Sequence, residues 1–438
     1  MSKVGAVKST SNVRRFKAYP AYKESGVDWI GMVPEKWELK RLKYVFWLSR
    51  GVDLSSDNFV EGPYPVCASN GIIGYHDKFT TKGPSIIVGR SGSVGEVNYI
   101  DRNFWAHNTA LFVMHFYTVI PRYCYYLLLK MDLKSLSAGT AVGTLNRNYI
   151  HDSTMAVPSI VEQESIAAFL DHETTRIDQL IAKKERQIEL LQEKRAALIS
   201  HAVTKGLNPK AKMKDSGIEW LGKIPEHWKL IPLKRLLTQN SDAIKTGPFG
   251  SQLLSSEMLS GEVKVYNQRN IIDKDFDGGE NYITVEKYAE LKAFAVMHGD
   301  ILVTTRGTIG RCALFPDDAE EGILHPCLMR IQADQCKLLR EYLAMLIQDG
   351  GIVQLQLSLM SNATTIAVIY SETLKNVLIP TPPIGEQKSI LSKINEDIEW
   401  IENLSGKVTT SIEKLQEYRT AIISAAVTGK IDVREEVA

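Results

Sequence analysis

The chain has no run of about 18 apolar residues and no charged start followed by an apolar stretch, so neither a membrane span nor a secretory leader is expected. Cysteine is scarce. The five present (Cys67, Cys124, Cys312, Cys327, Cys336) are odd in number and form no Cys-x-x-Cys pair. That number and spacing predict buried free thiols in a reducing cytoplasm. Catalytic signatures are missing too. There is no Gly-x-x-x-x-Gly-Lys-(Ser/Thr) phosphate loop, no His-Glu-x-x-His zinc helix and no glycine-rich cofactor fingerprint. Thr381-Pro382-Pro383-Ile384 lacks the acid or amide and the aromatic of an amino-methyltransferase loop, and Asp317-Asp318 lacks the spaced acid and lysine of a metal nuclease. The nine histidines fall singly. No catalytic residue and no metal site is assigned. Nor is there an excess of one charge: 52 Lys and Arg face 51 Asp and Glu, for a net charge of +1. Balance overall does not exclude nucleic acid, which needs only a local basic surface. Lys3, Lys8, Arg14, Arg15 and Lys17 precede the first acid, Glu24, and read either as such a surface or as a solvated leader.

What the chain does have is repetition. Its 438 residues exceed one ordinary core, so at least two domains are expected. Ser25-Gly26-Val27-Asp28-Trp29-Ile30-Gly31-Met32-Val33-Pro34-Glu35-Lys36-Trp37 returns 191 residues later as Ser216-Gly217-Ile218-Glu219-Trp220-Leu221-Gly222-Lys223-Ile224-Pro225-Glu226-His227-Trp228. Glu162-Gln163 returns as Glu386-Gln387, an offset of 224 that holds from about Ser137 to Thr204. It pairs Pro158 with Pro382 and the tail Arg195-Ala196-Ala197-Leu198-Ile199-Ser200-His201-Ala202-Val203-Thr204 with Arg419-Thr420-Ala421-Ile422-Ile423-Ser424-Ala425-Ala426-Val427-Thr428. The repeated pieces read as a frame, and the segments between them differ in length and sequence. Trp29, Trp37, Trp220 and Trp228 read as anchors that dock each segment onto that frame.

The 224-offset block carries a helical pattern. Leu170, Ile177, Leu191 and Leu198 sit on a seven-residue spacing with Lys184 in the remaining slot, and Ile394, Ile401, Val408, Leu415 and Ile422 repeat it. Charged flanks make each a coiled-coil seam. Ser159 to Glu162 is a capping-box pattern, Pro382-Pro383 suits a helix start, and Gly206 and Gly429 suit helix ends. At about 1.5 Å per residue, Glu162 to Thr204 would span roughly 65 Å. The two helices are matched partners within one chain; self-association into a homodimer is the alternative.

Residues 38–157 and 229–380 read as α+β, with short apolar strands such as Ser85-Ile86-Ile87-Val88 and Asp300-Ile301-Leu302-Val303 ending in glycine turns. Gly92-Ser93-Val94-Gly95 matches Gly307-Thr308-Ile309-Gly310, so both segments are expected to share one fold. These turns hold the candidate DNA contacts: Arg90, Ser91 and Ser93 in the first, Arg306 and Thr308 in the second. Arginine matches guanine O6 and N7, and hydroxyls reach phosphates or bases. A plain turn with a solvated arginine is the other reading. Arg306 stands one residue nearer its glycine than Arg90 does, which turns its side chain to the other face. Asn70-Gly71 is a hairpin dipeptide, or Asn70 an adenine reader, with Lys78 a nearby cation. Gln268, Arg269 and Asn270 gather the side chains that suit base edges, and Lys245, Thr246 and Ser251 lie in a phosphate-compatible loop.

On these motifs the chain from about Tyr19 to Val433 resembles the specificity subunits of type I restriction–modification systems. The resemblance rests on the paired Ser-Gly-x-x-Trp-(Ile/Leu)-Gly-x-(Val/Ile)-Pro-x-x-Trp, the paired Pro-x-x-x-Glu-Gln helix start and the paired helix tail. It implies an α+β protein with a pseudo-two-fold internal repeat: two similar globular target recognition domains, each followed by a long helix, the helices forming an antiparallel coiled coil. The expected order is a basic leader (1–18), target recognition domain 1 (19–158), spacer helix 1 (159–205), a linker (206–214), target recognition domain 2 (215–382), spacer helix 2 (383–430) and a tail (431–438). Each target recognition domain would read one half of a split DNA site, with helix length setting the unread gap. Two methyltransferase subunits would dock, joined by restriction subunits where present. No cofactor is expected on this chain; S-adenosylmethionine, ATP and Mg belong to the partners. A coiled-coil scaffold binding proteins without DNA is the competing reading. Divergence confined to the inserted segments favours DNA recognition, because two different half-sites need two different readers.

Overall fold

The computed structural model describes residues 16–27, 30–137, 143–249, 252–361 and 368–436. Trp29, Ser251, most of the basic leader and most of the Ser137–Thr140 repeat with its Ser361–Thr364 counterpart lie outside these. Two compact units form, one from residues 1–185 with 409–438 and the other from 186–408. They are not consecutive stretches, as the linear domain order suggests. Each takes the start of one long helix and the end of the other.

In the first unit, a four-stranded antiparallel sheet runs in the order Phe46–Arg50, Ala110–Phe116, Ser85–Gly89, Val97–Ile100. A three-stranded sheet places Tyr64–Ala68 between antiparallel Gly71–His76 and parallel Trp105–Ala106. The second unit repeats both. Ile244–Thr246, Leu328–Ile331, Ile301–Thr304 and Cys312–Leu314 follow the same order, again antiparallel. Val263–Tyr266 lies between antiparallel Tyr282–Ile283 and parallel Gly322–Leu324. The two variable segments therefore share one topology. Alternation of buried apolar residues drives this: Ile86 and Val88 face one core while Ile87 joins the other, and Ile301 and Val303 against Leu302 repeat the arrangement.

The repeated motifs have local causes. Ser25 donates its backbone N–H to Gly31 O at 3.1 Å, and Ser216 to Gly222 O at 3.0 Å. Closing this loop needs positive φ at Gly26 and Gly31, and at Gly217 and Gly222, which lie between +62° and +74°. Trp37 and Trp228 are at most 1% exposed. Trp37 Nε1 donates to Glu162 at 3.1 Å, and Trp228 Nε1 to Glu386 at 3.0 Å. The Glu162 carboxylate of the expected capping box thus serves an indole 125 residues away. The next residue, Gln163, donates to Thr118 O and Pro158 O and accepts from Ile120 N; Gln387 makes the same three bonds with Lys337, Pro382 and Leu339. Both glutamines are fully buried. A repeated Glu-Gln therefore closes the start of each long helix against its own unit.

The long helices are Ile160–Lys205 and Ile384–Val427, ending at Gly206 and Gly429. In the first unit, Leu170 and Ile177 share a core with Ile422, Ile423 and Ala426, and Asp178 pairs with Arg419 at 3.1 Å. In the second, Ile199, Ala202 and Val203 share a core with Ile390 and Ile394, and Lys194 lies 4.9 Å from the Trp400 ring. Early residues of one helix meet late residues of the other in each unit, so the pairing is antiparallel. In each unit, apolar residues of one long helix pack against the other helix of the same chain, the intrachain pairing of the two expected alternatives.

Phe16 and Lys17 belong to the first unit, where Lys17 bridges Asp432 and pairs with Glu435 at 2.6 Å. The five cysteines are free; Cys67, Cys124 and Cys312 are buried, Cys327 is half-buried and Cys336 is exposed. The expectation of uniformly buried thiols fails for the last two, whose loops are turns at the surface. Among the described residues no single helix is long and apolar enough to cross a membrane, and no cluster of metal-ligating residues occurs.

Candidate nucleic-acid interface

One edge of the first unit is built from four chain segments. Ser69-Asn70 is the two-residue loop between strands Tyr64–Ala68 and Gly71–His76, since Ala68 pairs with Gly71. The expected hairpin is there, with its loop one residue earlier than Asn70-Gly71. The glycine turn after Ser85–Gly89 lies against it; a Cβ on Gly92 would stand 3.5 Å from Ser69 Oγ. Thr109 O accepts from both Arg90 N and Ser91 N, and Thr109 Oγ1 accepts from Ser69 N. Gly51 presses against His107, where a Cβ would meet the carbonyl oxygen at 2.1 Å. Gly51 therefore has to be glycine, and it carries Arg50 to this edge.

The second unit builds the same edge. His325 N donates to Tyr266 O as His107 N donates to Cys67 O, and Thr305 N donates to Cys327 O as Arg90 N does to Thr109 O. A Cβ on Gly247 would meet His325 O at 2.3 Å, the counterpart of Gly51. These contacts set an equivalence of positions: Arg50 with Thr246, Ser69 with Gln268, Asn70 with Arg269, Arg90 with Thr305, Ser91 with Arg306 and Ser93 with Thr308. Ile369 N donates to Thr305 O as Leu145 N donates to Arg90 O, which adds Arg147 with Ser371. Outside the Ser69-Asn70 loop, whose counterpart Gln268-Arg269 opens a short helix, the backbone is common, and the side chains differ at each of these positions.

The structure sorts the residues expected from sequence. Asn70 is exposed at its loop tip, and Arg90, Ser91 and Ser93 are half-buried around the glycine turn. Lys78 is exposed but follows His76, which pairs with Tyr64 at the far end of the hairpin, so Asn70 and Lys78 do not converge. In the second unit Arg306 is exposed, lies 5.9 Å from the Phe249 ring and occupies the Ser91 position. The one-residue shift does separate the two arginines: Thr305 takes the Arg90 position, is buried, and spends its hydroxyl on Cys327 O at 2.9 Å. Thr308 is exposed beside it. Gln268 donates to Arg306 O, and Arg269 is exposed with a loose pair to Asp273 at 3.4 Å. Lys245 pairs with Asp242 at 3.1 Å, which neutralises it, while Thr246 is half-buried.

Asn270 is corrected. It is 4% exposed; its Oδ1 accepts from Asn267 N, and its Nδ2 donates to Asp275 O and Gly278 O. With these three bonds it organises the helix Gln268–Asp273 from inside and leaves no amide for a base edge. Arg50 and Arg147 belong to the first edge but sit in no motif. The offset of 224 that pairs Leu145 with Ile369 also sets Arg147 against Ser371, and that change of charge is the signal that marks it.

Ionisation follows burial. Partial burial, then Arg50, push the Arg90 guanidinium below the usual arginine range. Burial lowers His325, and burial followed by Arg147 lowers His151, whose Nε2 accepts from Leu48 N at 3.0 Å. Burial pushes the Cys67 thiol up to about 12, so it is no nucleophile.

A solved chain from work on complex assembly and conformational transition of the type I R-M system superposes with a TM-score of 0.65 at 13% identity, covering 90% of this chain and 98% of that one. The HsdS subunit from Thermoanaerobacter tengcongensis superposes with a TM-score of 0.52 at 14% identity, covering 91% and 98%. In sequence, the MjaVIII specificity subunit of Methanocaldococcus jannaschii is 24% identical over 92% of this chain and 94% of its own length. The EcoBI specificity subunit of Escherichia coli is 23% identical over 72% of this chain and 65% of its own length. The family model for the type I restriction modification DNA specificity domain matches residues 34–190 and again 252–414. A frame written twice, one sheet topology used twice and a domain model matched twice agree: this chain belongs to the type I restriction modification DNA specificity domain family.

Proposed function

We propose that this chain is the DNA-recognition subunit of a type I restriction–modification complex, reading a bipartite, asymmetric site with one edge per unit. The observation that carries the reading is the pair of matching backbone edges dressed with different side chains. A common backbone presents side chains to a duplex in one way, and different side chains then select different bases. The frame, in contrast, is kept in both units: buried indole, carboxylate, glutamine and helix tail. Two like frames suit two copies of one partner, as repeated surfaces do in symmetric assemblies. In this reading the partners are two methyltransferase subunits, with restriction subunits where the system has them. S-adenosylmethionine serves adenine N6 methylation on the former, and ATP and Mg serve the latter. This chain contributes recognition and assembly and no catalytic step.

The test is co-expression with its methyltransferase partner in a methylation-free host, followed by genome-wide mapping of N6-methyladenine. The expected result is one split motif, methylated on both strands and absent without this chain. A complex that assembles yet adds no methylation would overturn the reading in favour of a scaffold that binds proteins only.

A further inference from the structure

One cleft of the first unit, about 460 Å³ in volume, gathers three guanidiniums and no carboxylate. Arg50 ends the strand Phe46–Arg50, Arg90 follows Ser85–Gly89, and Arg147 opens the helix Arg147–Asp152. Leu111, Thr144, Leu145 and Asn146 complete the wall. Arg147 is held in place, donating to Leu48 O at 3.3 Å with its guanidinium 5.6 Å from the Trp47 ring, which stacks on His151 at 4.4 Å. Among the described residues, no ion pair neutralises Arg50 or Arg90. Like charges brought together without an acid repel, and that cost is offset when a ligand brings the missing negative charge. A guanine edge offers two neutral acceptors, enough for one guanidinium. A phosphodiester offers a full negative charge on two free oxygens, which several guanidiniums can share. The equivalent place in the second unit holds Thr246, Thr305 and Ser371, with no cation among the three.

We infer that Arg50, Arg90 and Arg147 seat one phosphodiester of the DNA backbone, and that the matching place in the second unit seats none. The inference rests on the DNA-reading function proposed above. It assigns Arg90 to positioning the duplex, in place of reading a base, and gives the two half-sites different chemistry of grip. The seat makes binding of the first half-site more salt-dependent than binding of the second.

The experiment uses the full chain assembled with its methyltransferase partner. Affinity is measured by fluorescence anisotropy from 50 to 200 mM salt, on the mapped site and on a scrambled duplex, for the parent, R50A/R90A, R50K/R90K and T246A/S371A. Loss of one phosphate contact lowers the slope of log K against log salt by about 0.9. R50A/R90A is therefore expected to weaken both duplexes alike, and its affinity loss across that range shrinks roughly threefold relative to the parent. R50K/R90K keeps the slope, because lysine still supplies a point charge to phosphate. T246A/S371A leaves the slope unchanged. An R50A/R90A complex that assembles and keeps the parental slope overturns the seat while leaving the function intact. So does a change in the methylated letters of one half-site, which would make these arginines base readers. A parent complex that ignores DNA at every salt concentration overturns the function, and the seat with it.

Discussion

The two reading edges share a sheet topology and part company in charge. The first presents Arg50, Arg90 and Arg147 around a cleft without an acid. The second has Thr246, Thr305 and Ser371 at those places, Thr305 buried with its hydroxyl on Cys327 O, and its arginines lie elsewhere: Arg269 leans on Asp273 and Arg306 on Phe249. A two-residue loop in the first, Ser69-Asn70, becomes the helix Gln268–Asp273 in the second, folded around the buried Asn270. The frames below the edges do not diverge in this way: Trp37 with Glu162 and Trp228 with Glu386 are the same contact made twice. Packing thus holds the frame constant, because a buried indole and a buried glutamine tolerate little change. An exposed edge carries no such constraint, and its side chains are free to follow the DNA.

The largest effect is expected in the frame. Trp37→Ala and Trp228→Ala each empty a fully packed site, and each should cost about 3–5 kcal/mol, seen as a lower denaturant midpoint or lost assembly. Similar losses would support equal roles; a silent Trp228→Ala would break the equivalence of the frames. Next comes the edge. Asn70→Ala should cost about 1–3 kcal/mol on the intact site if its amide meets a base, and relax letters in one half-site only. Arg269→Ala should act on the other half-site and by less, since Arg269 is already drawn toward Asp273. Methylation maps of the two variants decide this, and letters lost from the same half-site would refute the one-edge, one-half-site scheme.

The smallest effect is a matter of pH. Burial and then Arg147 hold the His151 ring below its usual value; Lys43 pushes the same way and Asp152 opposes. The unfolded chain therefore takes up a proton first, at about pH 6.5. The stability from neutral His151 is present above that pH and is lost as pH falls toward the folded-state value. His151→Gln, which can still accept from Leu48 N, should lose less stability between pH 7 and 5 than the parent does. His325 in the second unit acts with the same sign and remains in the variant. An unchanged acid slope would show that His151 does not titrate in this way.

Much of this architecture is legible in the order of residues. The heptad rows mark the faces that become buried, and Gly206 and Gly429 mark the helix ends. The glycine turns follow the strands they were expected to follow, and the shift between Arg90 and Arg306 does change the position the arginine takes. These are local properties, set by neighbours a few residues apart. The candidate site was legible only in part. Arg90, Asn70 and Arg306 stand out beside glycines, but Asn270 carries the same apparent credentials and is spent inside its loop.

The sequence alone settles the two-copy plan, the helical periodicity and the glycine turns that follow the strands, because repetition, periodicity and glycine conformation act over short range. Tertiary structure alone brings Arg50 and Arg147 to Arg90 across about 40 and 57 residues of chain. It also sends Glu162 to Trp37 and gives each unit the start of one long helix and the end of the other. Those pairings depend on strand order and burial in three dimensions, and no spacing along the chain encodes them.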